Sequence, residues 1–382
     1  MNQLDPSGNL LGILSGHLAS EGFTCPKHWQ EHDWRRYLAL AQSHGILPLI
    51  QDRLLNADSA AQPPSPIGSA IEQDLKNQAV LEILQTLELQ RVLSAFSAND
   101  IPVLVFKGGA LAHSHYSEAK LRPRNDTDLL ILETQRKAAA TILKTLAYTA
   151  QNVTTGRHIM HQCNYEYTDH QGCPHAVDLH WHLSNPAAFY NLLNFEDLWK
   201  RAARIPQLTK DTRCPCQVDA LLIACIHRLA HHHHNDRLIW LMDIHLLVEA
   251  ISDAEAKEFI LRAHQIGVVA VCRQGLELSR DCLHTHLSPV LTDFLKQSQN
   301  PTGKTERYTR RYIIKGRGRW DDFLDDLRAQ PNWRSRLGYL RETFFPNATY
   351  LLRSYNTRHR ILLPVLYLHR LLRGFIRFVR SR

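Results

Sequence analysis

The sequence predicts an α+β fold that is predominantly helical, a small mixed β-sheet with helical regions before and after it. Three observations predict it. Ile101-Pro102-Val103-Leu104-Val105-Phe106 is an apolar, β-rich run that ends at Lys107-Gly108-Gly109. A second run, Leu129-Leu130-Ile131-Leu132, follows Asp126-Thr127-Asp128. In a third stretch Val177, Leu179, Trp181 and Leu183 alternate with Asp178, His180 and His182. Short apolar or alternating runs of this length are strand signals, whereas the flanks show helical periodicity.

The elements follow in order. Residues 28–55 read as one or two helices, broken near His44-Gly45 and Pro48. Residues 57–66, rich in Ala, Ser and Pro, read as a linker. Residues 67–98 read as a long amphipathic helix, with Val80, Ile83, Leu84, Leu87, Leu89 and Val92 as apolar positions, leading into the first strand. A short helix over 110–116 opens at the glycine turn, and another over 135–147 follows the Asp-x-Asp strand. Residues 161–168 supply a further strand before the alternating one, which should be half-buried with a polar face. From Val218 onward the chain reads as mostly helical. The expected organisation is an N-terminal helical region (1–98), a catalytic core (99–205), a helical domain (206–300) and a basic C-terminal helical region (301–382).

The chemistry lies in the strand segments. Asp126 and Asp128 stand two apart in a strand, so their carboxylates project from one face. Such a pair repels itself unless a proton or a cation neutralises it. Oxygen-rich clusters suit Mg²⁺, which is usually held by one or two carboxylates together with substrate phosphates. Upstream, a strand that stops at paired glycines lets backbone approach a ligand closely, because neither residue has a Cβ. Successive N–H groups there, and the helix N-terminus that follows, favour a phosphate. Asp178 lies on the polar face of the alternating strand. If that strand pairs beside the Asp126/Asp128 strand, three carboxylates converge. Two divalent ions roughly 3.5–4 Å apart could then activate an attacking oxygen and stabilise a leaving pyrophosphate.

The neighbouring charges have more than one reading. The Lys107 ammonium could meet a triphosphate, a carboxylate or solvent. The guanidinium fork of Arg122 fits triphosphate oxygens and equally fits a carboxylate that holds the loop; for Arg124 the structural role is favoured. His180 supports Asp178 or a phosphate, or is structural. Asp243, on a mainly apolar helix, is expected to pair with a core-side base or to line the cleft.

Gly108-Gly109, Asp126-Thr127-Asp128 and the later strand residue Asp178 resemble the motif set of the DNA polymerase β-like nucleotidyltransferase superfamily. More narrowly, the segment 101–111 with its Lys-Gly glycine turn, Arg122-Pro123 ahead of Asp126-Thr127-Asp128-Leu129-Leu130, and Val177-Asp178-Leu179-His180-Trp181 are similar to an uncharacterised bacterial nucleotidyltransferase family. Residues 34–54 and 237–244 are similar to helical parts of that family outside its core. The resemblance implies a nucleotidyltransferase core that transfers an NMP group from an NTP, with release of pyrophosphate. It implies Asp126, Asp128 and Asp178 as catalytic groups and ligands of two Mg²⁺ or Mn²⁺ ions, and Lys107, Gly108, Gly109 and Arg122 as nucleotide-binding residues. It supplies no acceptor, which could be the hydroxyl or phosphate of a small molecule, a protein side chain or an RNA end. The 16 residues between Gly109 and Asp126 exceed the usual superfamily gap. The rival reading is a non-catalytic nucleotide-binding or scaffold protein whose basic C-terminal helix binds a membrane surface or nucleic acid.

Composition bounds the rest. With 44% hydrophobic and 21% charged residues, the chain has the balance of a globular protein. Its eight cysteines form no regular framework, which points to a reducing, cytoplasmic setting. Cys214-Pro215-Cys216 lacks the spacing of a structural zinc site. Residues 1–16 lack a basic start and are broken by glycines, so no signal peptide is expected, and no apolar run reaches transmembrane length. His231-His232-His233-His234 reads as a helix end or solvated loop. Charge is uneven. Residues 301–382 hold 19 Lys and Arg against 6 Asp and Glu, a net of +13, so the global +8 resides in the tail and the first 300 residues carry −5. Within it, 358–382 reads as a basic amphipathic helix with Arg370, Arg373, Arg377 and Arg380 on one face. Such a helix can dock on the protein itself, lie peripherally on an anionic membrane, or bind nucleic acid.

Overall fold

The computed structural model describes residues 10–19, 29–57, 63–151, 156–230, 236–297, 303–314 and 318–380. The four-histidine run and residues 58–62 of the 57–66 linker lie outside them. Helices α1 (Leu10–Ala19), α2 (Glu31–Ser43), α3 (Leu47–Leu55) and α4 (Ser65–Ser97) precede the sheet. Gly45 separates α2 from α3 at φ 72°, a left-handed conformation that a Cβ disfavours.

The strands are β1 (Val103–Val105), β2 (Thr127–Ile131), β3 (Thr149–Ala150), β4 (Gln162–Thr168), β5 (Pro174–His180), β6 (Ala203–Arg204) and β7 (Arg213–Cys214). Among the described residues they form one seven-stranded sheet in the order β3-β4-β5-β2-β1-β7-β6. The sheet is mixed: β2 runs antiparallel to β1 and parallel to β5, while β4 pairs antiparallel with β5. With β7 it reaches beyond residue 205. Helix α5 (Lys107–Ser114) follows β1, α6 (Arg136–Thr145) follows β2, and α7 (Phe195–Arg201) precedes β6. The chain then runs through α8 (Gln217–Ala230), α9 (Leu238–Glu249), α10 (Asp253–Ile266), α11 (Val269–Leu283), α12 (Pro289–Lys296), α13 (Lys304–Arg311), α14 (Arg319–Ala329), α15 (Trp333–Phe344), α16 (Ala348–Ser354) and α17 (Leu363–Arg380). Sequence signals set individual ends, as in α10. Ser252 and Glu255 form its capping box, and Gly267 at φ 74° ends it. No helix of the described residues is long and apolar enough to cross a membrane.

Both faces of the sheet are covered, because alternate residues enter different cores. Val105, Leu129, Ile131, Val177 and Leu179 pack with Leu89, Val92, Leu93 and Phe96 of α4 and with Ala139, Ile142 and Leu143 of α6. Leu104, Phe106 and Leu130 enter the larger core, which includes the apolar faces of α8 and α9. The even-numbered residues of β2 and β5, Asp128, Asp178 and His180, therefore lie on the α8/α9 side.

Three expectations need correction. The alternating strand is not half-buried with an open polar face: Asp178 and His180 are as buried as Val177 and Leu179, and the strand ends at His180. The helix expected from Ala110 begins at Lys107, so Gly108 and Gly109 lie in its first turn and not in a free loop. Lys107 makes the junction at φ 52°, a conformation that costs a non-glycine residue about 1–2 kcal/mol. Finally, Val80, Ile83 and Leu87 are exposed, whereas Leu89 and Val92 are buried. Midway along α4 the inward face is polar, because Glu82 there meets buried basic groups.

Candidate active site

Register brings the carboxylates together. In the parallel β2–β5 pair Asp128 stands directly opposite Asp178, and Asp126 precedes β2 by one residue. Like charges directly opposite one another repel. Two basic side chains offset this. The Lys107 ammonium lies 2.6 Å from Asp128 Oδ1, and His180 Nε2 lies 2.9 Å from the same oxygen and 3.3 Å from Asp178 Oδ2. Lys107 also lies 4.8 Å from the Phe106 ring centre, and that ring meets His180 edge-on. Of the readings open for Lys107, the structure therefore places the ammonium on a carboxylate.

These contacts set the protonation of the site. Burial alone would raise the Asp128 pKa, but Lys107 and the His180 hydrogen bond outweigh it and hold the carboxyl well below the usual range. For His180, burial and Lys107 favour the neutral ring, yet its hydrogen bonds to Asp128 and Asp178 prevail and raise its pKa. At Asp126, desolvation by the surrounding protein, then repulsion from Asp128 and Asp178, pushes the pKa from 3.8 to about 6. A carboxylate raised in the fold takes up a proton between those two values. Its destabilising repulsion is complete above pH about 6 and is relieved as pH falls below it. Asp126→Asn should accordingly raise the thermal midpoint at pH 8, with a gain that shrinks at pH 5; thermal melts at both pH values check this, and an equal shift would contradict it.

The donor set suits a cation. Asp128, Asp178 and His180 offer ligand atoms that all lie within 4.8 Å of one another. Asp178 Oδ2 accepts from Gln162 Nε2 at 2.6 Å, while its Oδ1 is buried without a hydrogen-bond partner. Asp126 stands outside this group, at the exposed lip. Two carboxylates suit Mg²⁺ or Mn²⁺, and an imidazole nitrogen tilts the set towards the transition metal. A further mixed group, Asp169, Cys173 and His175, sits in the β4–β5 hairpin. There the Asp169 carboxylate is committed to His175 and to the N–H groups of Gln171 and Cys173.

The glycine turn serves a guanidinium. Arg122 is buried and donates to both oxygens of Asp243, Nε and Nη2 each at 2.8 Å, and Tyr116 Oη donates to Asp243 Oδ1 at 2.8 Å. A Cβ on Gly108 would lie 2.9 Å from Arg122 Nη2, and one on Gly109 would lie 3.2 Å from Thr127 Cγ2. The glycine thus admits the guanidinium against the first turn of α5, where its charge adds to the field of the helix N-terminus. Gly108→Ala should destabilise the fold by about 1–3 kcal/mol through overpacking. Urea unfolding checks this, and an unchanged midpoint would contradict it. Asp243 pairs with a base, as expected, and Arg124 has a structural role: its Nη1 lies 2.5 Å from Glu82 Oε2 on α4. Gln162, Glu82 and Tyr116 were missed. For Gln162 the only signal was its place on the period-two polar side of β4; for Glu82 and Tyr116 there was none.

Residues 30–284 match a family described as uncharacterised nucleotidyltransferases. No curated protein matches the chain in sequence. Among solved structures, the antibiotic-resistance factor ANT(2'')-Ia is 10% identical and aligns over 53% of this chain and 99% of its own, at a TM-score of 0.34. An antigenic nucleotidyltransferase-like protein from Paracoccidioides brasiliensis is 12% identical over 55% of this chain and 94% of its own, at 0.32. The family match spans both halves of the site, from the helices before β1 to α9 and beyond, and on that match the chain belongs to the uncharacterised nucleotidyltransferase family, an enzyme of the nucleotidyl-transferring class.

Proposed function

We propose that the chain catalyses metal-dependent transfer of an NMP group from an NTP to an acceptor hydroxyl or phosphate, with release of pyrophosphate. The observation that carries this reading is the pairing of Asp128 opposite Asp178, with Asp126 at the lip and the α5 N-terminus beside them. Asp126, Asp128 and Asp178 would hold two divalent ions, Mg²⁺ or Mn²⁺, and His180 can join the donor set. When bound, the metal supplies Lewis-acid neutralisation of the triphosphate. The N–H groups of Gly108 and Gly109, in the first turn of α5, would meet the phosphates, with Arg122 held beside Gly108 by Asp243. Lys107 is within reach of the phosphates once released from Asp128. The acceptor oxygen attacks the α-phosphorus and the new P–O bond forms. The bond to the oxygen bridging the α- and β-phosphorus atoms breaks, pyrophosphate leaves, and Asp178 is placed to take an acceptor hydroxyl proton.

The acceptor is a small molecule, a protein side chain or an RNA end. The reducing, cytoplasmic setting belongs to this proposal, as does contact of 358–382 with a peripheral membrane surface or nucleic acid. One observation favours a non-catalytic alternative: Lys107 and His180 already neutralise Asp128. To test the proposal, each α-labelled NTP is incubated with the protein, Mg²⁺ or Mn²⁺ and fractionated lysate. Labelled product that disappears in Asp126→Ala plus Asp128→Ala supports it. NTP binding without turnover across the fractions favours the alternative, and turnover that survives the substitutions removes the carboxylates from the chemistry.

A further inference from the structure

We propose that α17 docks this chain on the surface of an anionic lipid bilayer. The inference resolves the tail contact left open above and does not depend on the transfer chemistry. Helix α17 has two apolar sides. One is docked: Tyr367 Oη donates to Pro346 O at 2.7 Å, and Arg370 Nη2 donates to Thr343 O at 3.1 Å and lies over the Tyr350 ring. The other faces solvent. Val365, Leu368, Leu372 and Ile376 recur at the three- and four-residue spacing of one helical stripe, and each is half exposed or more. Ile361, just before the helix, is 87% exposed. A row of five aliphatic side chains is the kind of exposed patch that marks an interaction surface.

Charge identifies the occupant. Residues 333–382 carry eleven arginines and one acid, Glu342. That acid is buried, and its carboxylate accepts from the N–H groups of Arg157, His158 and Ile159. No other acid accompanies the arginines within 333–382. A second copy that met α17 with its own α17 would bring arginines against arginines. A nucleic acid would suit the charge but not the stripe, because its interfaces are polar and single strands stack on aromatic rings. An anionic bilayer satisfies both, since aliphatic groups enter the acyl boundary while arginines meet headgroup phosphates. Between α17 and the helices beneath it lies a cavity of about 850 Å³, lined by Trp320, Phe344, Leu371 and Leu372 with Arg370 and Arg373. Apolar walls with guanidinium groups match the chain and phosphate of an anionic lipid.

The test is co-sedimentation of the full chain with phosphatidylcholine vesicles, with and without phosphatidylglycerol. Val365→Asp, Leu368→Asp and Ile376→Asp together place acids on an exposed stripe, so thermal melts should show the fold intact. The expected result is binding to the phosphatidylglycerol vesicles, weaker by about tenfold or more on phosphatidylcholine alone and weaker by about tenfold or more in the triple variant. Absence of binding to anionic vesicles overturns the proposal, as does binding that the triple variant leaves unchanged. A dimer seen by light scattering and abolished by the variant, without vesicle binding, assigns the stripe to a second copy. Binding of labelled RNA or DNA without vesicle binding assigns it to nucleic acid.

Discussion

Asp178→Asn is expected to lower nucleotidyl transfer by at least about a thousandfold while the fold survives. Asparagine has nearly the shape of aspartate and keeps a side-chain oxygen to accept from Gln162. The pairing of β5 with β2 and β4 rests on backbone groups that the substitution does not touch. What disappears is the negative charge opposite Asp128, which the proposed reaction uses to hold a cation against the triphosphate. Labelled pyrophosphate release measures the rate, and circular dichroism with thermal melting checks the fold. A rate within about tenfold of the parent would show that Asp178 has no part in the chemistry.

The second large effect falls on stability. Asp243→Ala leaves the Arg122 guanidinium buried without its bidentate partner and removes the acceptor for Tyr116 Oη. Breaking a buried ion pair from one side costs about 3–5 kcal/mol, because the remaining charge is uncompensated. Asp243→Asn should cost less, since one acceptor oxygen remains. Arg122→Lys should not rescue the site, because an ammonium cannot make the planar fork. Urea denaturation of the three variants gives the order; equal stability of Asp243→Ala and the parent would mean that the pair contributes nothing.

The parts of this site that could be read in the chain are those governed by short-range periodicity. Strand alternation put Asp178 on the polar side of its run, beside His180. Asp126, expected on one strand face with Asp128, instead lies just before β2 and outside the Asp128, Asp178 and His180 group. That Asp128 stands opposite Asp178 was not legible, because the register of two parallel strands joined by a long crossover depends on packing across both faces. The pairing of Arg122 with Asp243 spans 121 residues, and only the isolation of an acid on an apolar helix hinted at it. Lys107 could not be assigned between phosphate and carboxylate, since the choice depends on where β2 lies beside β1.

Amphipathic pattern fell short twice, for one physical reason. On α4 the apolar positions Val80, Ile83 and Leu87 point outward because buried basic groups draw Glu82 inward. On α17 the apolar part is covered only in part, since Tyr367 docks on Pro346 while Val365, Leu368, Leu372 and Ile376 stay exposed. Periodicity reports which residues share a face. It does not report which face the rest of the protein covers, and a helix with two apolar sides has a choice.

The most direct test of the central claim, that Asp128 and Asp178 form a cation site, needs no acceptor. Mn²⁺ is titrated into the full chain and followed by electron paramagnetic resonance, in the parent and in Asp128→Asn plus Asp178→Asn. Saturable binding that the double substitution weakens by at least about a hundredfold is predicted, more than the loss of a group that only orients a ligand would cause. Mn²⁺ binding of equal affinity in both proteins, or none in the parent with NTP present, would contradict it.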